Sequence, residues 1–120
     1  MQPEKFTMKT QAAIQAAQAL AHQHSQQEIE GEHLLLALLQ QEESLIPPLL
    51  QKLGVNTRQL AEQLTAELER KVKVSGTSSQ DVFLGNYLKR SLDAAEREAQ
   101  KMKDEYVSTE HLLLGLIDEG

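Results

Sequence analysis

The 120-residue chain has no cysteine and no tryptophan. Without a thiol it can form no disulfide, no thiolate nucleophile and no thiolate–metal site. Only two Tyr and two Phe are present, so the core has to be aliphatic, built from Leu and Ala. Such a composition favours helices, because strands prefer β-branched and aromatic residues. A long apolar run is missing too. The longest, LLLALL over Leu34–Leu39, is far too short to cross a bilayer. The opening MQPEKFTMKT lacks the apolar stretch of a secretory leader. A soluble, cytoplasmic protein with no membrane partner is the expectation. Positive charge is scarce: 12 Lys and Arg stand against 18 Asp and Glu, a net charge of −6. That sign repels phosphates and argues against nucleic acid as a partner.

Catalytic patterns are lacking as well. The six glycines, at 31, 54, 76, 85, 115 and 120, make no phosphate-binding loop. His22 and His24 are two apart and point to different faces of a helix, and His33 and His111 lack the i, i+4 spacing of a zinc-binding pair. These last two read as partly exposed first-turn residues. Carboxylate pairs such as Glu42-Glu43 and Asp104-Glu105 read as solvated helix faces and ends, with no sign of a catalytic cleft. No metal and no enzymatic activity are expected of this chain.

What the chain does contain is a repeat. GEHLLLALLQ (31–40) returns as TEHLLLGLID (109–118), and one ungapped shift of 78 also pairs Ile14 with Leu92, Ala17 with Ala95, Ala21 with Ala99 and Ile29 with Val107. Each unit opens with an amphipathic helix. In the first, Thr7 is the expected cap of a helix running to His24, with Ala13, Ala16, Ala17, Leu20 and Ala21 on one face. In the second, Leu88, Leu92, Ala95, Ala99 and Met102 form the buried stripe. The leucine-rich segments follow as central helices, with Glu32 and Glu110 in their first turns and Ser108 or Thr109 capping the second.

The first unit adds two more helices. SLIPPLLQKLG is capped by Ser44, accommodates Pro47 and Pro48 in its first turn and stops at Gly54. NTRQLAEQLTAELERK is capped by Asn56 and carries Leu60, Leu64 and Leu68 on one side. The aperiodic KVKVSGTSSQD segment reads as a linker. The division is therefore a first repeat over 1–70, a linker over 71–83 and the first half of a second repeat over 84–120. The fold class is all-α, a tandem pseudo-twofold repeat of a four-helix unit. LLQKLGVNTRQLAEQL (49–64) has the cadence of a helix-turn-helix, and Arg58, Gln59 and Gln63 could face bases, but Glu62, Glu67 and Glu69 oppose phosphate contact.

Two units, each an Ala-rich helix followed by [I/V]-x-[S/T/G]-E-H-L-L-L-x-L, resemble the N-terminal double-repeat (Clp N) domain of Clp-type AAA+ chaperones. IPPLLQKLGVN, KVKVSG and DEYVSTEHLLLGL most resemble its ClpB-type disaggregase branch. The resemblance implies a non-catalytic module that weakly captures unfolded or aggregated polypeptides. It would pass them to an ATP-driven hexamer working with the DnaK system. ATP and Mg would be bound by AAA+ modules beyond residue 120. The family's substrate groove maps here onto polar Thr7, Asp104 and Glu110 and onto the apolar positions Leu92, Ala94 and His111. The last two depart from the leucine of other members. Each has a structural reading beside it: Thr7 as a helix cap, Glu110 as a partner of the helix dipole, Leu92 as core.

The resemblance also implies two further helices in the second repeat. Without them, part of the Leu112–Ile117 helix and of the Leu88–Met102 face should lie uncovered and invite self-association. Three rivals stay open: an adaptor-docking domain of the ClpC or ClpA type, a DNA-binding regulator, and a plain helical interaction domain.

Overall fold

The structure, a computed structural model, describes residues 3–71 and 82–119. Among them are six α-helices: α1 Met8–Gln23, α2 Gly31–Gln40, α3 Ile46–Lys52, α4 Thr57–Arg70, α5 Asn86–Lys101 and α6 Thr109–Glu119. Most of the expected linker, residues 72–81, lies outside the described residues. Its two ends are ordered elements: Lys71 closes α4, and Phe83 belongs to a short strand.

Local chemistry sets the helix ends. The Thr7 hydroxyl accepts the Thr10 N–H at 3.1 Å, and Asn56 Oδ1 accepts that of Gln59 at 3.0 Å, so both cap as expected. Ser44 accepts the Ile46 N–H at 3.1 Å, although Leu45 occupies the position flanking α3. Gly54 follows α3 at φ +87°, a left-handed conformation that costs a glycine little.

Helices α1 and α2 pack together, as do α5 and α6, and α4 covers the outer side of α2 through Leu64 and Leu68 against Leu36. The first helices of the two repeats bury small residues: Ala13, Ala17 and Ala21 on α1, Ser91, Ala95 and Ala99 on α5. This lets the leucine-rich helices approach closely. The approach is tightest at Gly115, where a Cβ would collide with the Ser91 carbonyl oxygen and lie 2.9 Å from the Ala95 nitrogen. Two residues leave the expected buried faces: Ala16 points to solvent, and Met102, past the end of α5, is 56 % exposed. The anticipated bare face is narrow. Leu88, Leu92, Leu112, Leu113 and Leu116 are buried, while Ile117 is 61 % exposed.

The repeats are joined by backbone pairing that no periodicity announces. Strand β1 (Glu28–Ile29) runs parallel to β2 (Phe83–Leu84), with Ile29 opposite Leu84, and Phe6 bridges Val107 in the same sense. Phe6 is the repeat counterpart of Leu84, and Ile29 that of Val107. The lead-in of each repeat therefore pairs with the connector of the other. The Thr7 N–H donates to the Val107 carbonyl at 3.1 Å, and its counterpart, the Gly85 N–H, donates to that of Ile29 at 2.9 Å. The first site has a side-chain reinforcement: buried Thr10 donates its hydroxyl to the Val107 carbonyl at 2.8 Å, where the second repeat has Leu88, which has no polar side-chain atom.

Two substitutions test this packing by urea denaturation. Gly115→Ala should cost about 1–3 kcal/mol, because two backbones must separate to admit a methyl group. Thr10→Val should cost about 1 kcal/mol, the usual worth of one buried hydrogen bond.

Candidate functional site

Both leucine-rich helices carry a histidine in their first turn. His33 and His111 occupy the third helical positions and are 0 % and 4 % exposed, where partial exposure was expected. The reason is their bonding. The Glu30 N–H donates to His33 Nδ1 at 2.9 Å, and the Ser108 N–H donates to His111 Nδ1 at 2.9 Å. Each ring thus reaches back to satisfy an otherwise unpaired amide ahead of its helix, as the second half of a capping box does. Accepting at Nδ1 leaves the proton of the neutral ring on Nε2.

The two Nε2–H groups meet different partners. His33 donates to Gln26 Oε1 at 2.7 Å, and Gln26 Nε2 passes a further bond to the Leu68 carbonyl at the end of α4, at 2.7 Å. His111 donates to Asp104 Oδ2 at 2.9 Å. Gln26 and Asp104 are counterparts in the repeat, as are Glu30 and Ser108. Burial lowers the His33 pKa from its ordinary 6.5, outweighing the opposing charge of Glu30.

The sequence-derived groove residues divide. Asp104 and His111 are bonded, and Thr7 joins the same connector through the Val107 carbonyl. The Thr7 hydroxyl, besides capping α1, lies 2.7 Å from that of Thr10. Glu110 sits half-buried in the first turn of α6 and accepts the Thr109 hydroxyl at 2.9 Å. Leu92 and Ala94 are 1 % and 2 % exposed, on the packed side of α5. With buried His111, they offer almost no surface in this conformation, so the apolar positions inferred from the resemblance do not line an open groove.

Other residues supply apolar surface there. Met8, Met102 and Tyr106 are exposed beside the Phe6–Val107 bridge and the Asp104–His111 pair. Around the first connector the repeat counterparts of these three are Asn86, His24 and Glu28, and the exposed aromatic is Phe83. The near-twofold thus supplies an internal comparison: one end is methionine- and tyrosine-bearing, the other mainly polar. Methionine adapts to irregular apolar partners, and tyrosine offers an apolar ring with a polar tip. Sequence reading missed Gln26, Thr10, Met8 and Tyr106. The polar pairing of Gln26 with Asp104 at the repeat offset was the available signal.

Replacing Gln26 by Leu would strand the His33 Nε2–H and remove a partner from the Leu68 carbonyl. The expected loss is about 1–3 kcal/mol, the usual penalty of an unpaired buried polar group, read as a lower denaturation midpoint.

The described residues contain no helix long and apolar enough to cross a membrane. The family described as the Clp repeat (R) N-terminal domain matches residues 5–120. Chaperone protein ClpB 2 of Nostoc sp. strain PCC 7120 is 44 % identical over 112 residues, covering 93 % of this chain and 13 % of its own length. ClpB of Bdellovibrio bacteriovorus is 39 % identical over 115 residues, covering 96 % of this chain and 13 % of its own length. The chain thus spans about an eighth of the curated relatives it matches. In fold it is similar to the Hsp104 N-terminal domain of Candida albicans, with a TM-score of 0.83 at 22 % identity over 96 % of this chain and 75 % of that one. On the duplicated motif, the exchanged lead-ins and this match over nearly its whole length, the chain belongs to the Clp N-terminal domain family of Clp-type chaperones, and its sequence is similar to those of ClpB chaperones.

Proposed function

We propose that this domain captures unfolded or aggregated polypeptide segments weakly, on the surface around the second connector. Thr7, Met8, Met102, Asp104, Tyr106 and Glu110 would make the contacts. Leu92, Ala94 and His111, the buried members of the expected groove, would support the surface from beneath. The observation that carries this reading is the one-sided exposure of Met8, Met102 and Tyr106 beside Asp104, at an end whose counterpart is mainly polar. Unfolded chains expose apolar side chains without a fixed sequence, and flexible thioethers next to a few polar groups suit such partners.

Likeness to ClpB supports extending the proposal to the whole protein. There, bound segments would pass to an ATP- and magnesium-dependent AAA+ hexamer in the cytoplasm, in cooperation with a DnaK-type system. This domain itself contributes binding and no catalysis. Six copies in one ring would raise the local concentration of weak sites, so that each can release its cargo readily.

Fluorescence anisotropy of a labelled, permanently unfolded polypeptide tests the proposal, with labelled duplex DNA as control. The domain should bind the polypeptide weakly and the DNA not at all. Met8→Ser with Tyr106→Ser should weaken polypeptide binding about tenfold, with helicity unchanged by circular dichroism. Thr7→Ala, Asp104→Ala and Glu110→Ala should each weaken it less. Binding that survives the Met8/Tyr106 pair overturns this surface. Tight binding of one folded adaptor, with none of unfolded chains, would favour a ClpC- or ClpA-type role.

A further inference from the structure

The two capping histidines share one position in the repeat but differ in what a second proton would meet. At His33, every donor points the same way: Glu30 N–H to Nδ1, Nε2–H to Gln26, and the Gln26 amide to the Leu68 carbonyl. A proton added at Nδ1 would face the Glu30 N–H, donor against donor. At His111 the Ser108 N–H faces Nδ1 in the same way, but the equivalent proton also has an acceptor, because the Ser108 hydroxyl oxygen lies 3.0 Å from Nδ1 and can turn its lone pair inward. The Asp104 carboxylate stands against the other nitrogen of that imidazolium.

We propose that the His33 relay is a proton-sensitive clasp: acidification opens the first connector and the end of α4, while the second repeat stays closed. The charges facing His33 do not rescue its imidazolium. Glu30 and Glu32 are both engaged by Lys71 at the end of α4, at 2.9 and 3.7 Å. Burial works against the charge on Lys71, but its bonds to Glu30 and Glu32 prevail and raise its pKa, so it stays cationic through this range. From the end of α1, His24 contributes a further positive charge when protonated, beside Glu69 of α4 at 3.5 Å. Lys71 and His24 add to burial in lowering the His33 pKa, and Glu30 and Glu32 oppose it.

The sign follows from linkage. The closed form refuses a proton that the opened form, with an ordinary pKa near 6.5, accepts. The clasp is therefore at full strength above that value and weakens as the pH falls below it. The opening equilibrium rises by up to about tenfold per pH unit until the lowered pKa of the closed form is reached. Opening would release the Gln26–Leu68 bond and uncover Leu68, which is fully buried in the closed form.

Amide hydrogen exchange of the whole chain between pH 7.5 and 5, corrected for intrinsic rates, tests this directly. Protection around the first turn of α2 and the last turn of α4 should fall by up to about tenfold per unit below pH 6.5, with α5 and α6 unchanged. His33→Asn, whose side-chain oxygen can still accept the Glu30 N–H but cannot titrate, should remove the pH response. Flat protection in the unsubstituted chain overturns the proposal, as does a parallel fall in both repeats or an acid response that survives H33N. Should H33N not fold, imidazole nitrogen NMR of the unsubstituted chain decides. A His33 midpoint below 6.5 that coincides with the loss of protection upholds the clasp, and a midpoint at or above 6.5 overturns it.

Discussion

The structure depends on backbone hydrogen bonds traded between its two halves. Each repeat sends its lead-in across to the connector of the other, so Phe6 lies on Val107 and Leu84 on Ile29. The pairings are only a residue or two long and would not persist alone in water. They hold because buried side chains surround them: Phe6, Ile29 and Val107 belong to one apolar cluster with the leucine-rich helices. In exchange, the pairings fix where each first helix starts, since Thr7 and Gly85 flank α1 and α5 while donating across the interface.

Duplication then allowed the two ends to diverge on a shared frame. The histidine that ties connector to helix occurs in both, but its partner is an amide in one and a carboxylate in the other. The amide has a second arm and uses it to anchor α4. The carboxylate is partly exposed, at an end that also presents Met8, Met102 and Tyr106. One connector has become a structural joint and the other a surface.

The elements that repeat or alternate were legible in the sequence, because helix periodicity and caps are local properties. The helix positions, the Thr7 and Asn56 caps and the stop at Gly54 were all readable in this way. The strands were not, since two residues carry no period and their partners lie about 55 and 100 positions away. The histidines were misjudged for a related reason. A first-turn polar residue is exposed by default, and burial of His33 makes sense only once Gln26 and the Leu68 carbonyl are seen to close around it. Met102 fitted the helical stripe by spacing, but α5 ends one residue earlier and leaves the side chain outside. Of the groove residues taken from the family resemblance, the polar ones fall near the second connector, and the apolar ones fall in the core.

The exchange of lead-ins also sets an order of events during synthesis. Phe6 must wait for Val107, 101 positions further along the chain (107 minus 6), before it can be covered. At roughly 5–20 residues per second, that is a delay of about 5–20 seconds on the ribosome. Helices α1 to α4 can form and collapse in that interval, yet the joint between the halves stays open until α5 and the second connector have emerged. A nascent chain of this design therefore carries its own unpaired strand edges until the second connector has emerged, and only then are they shielded.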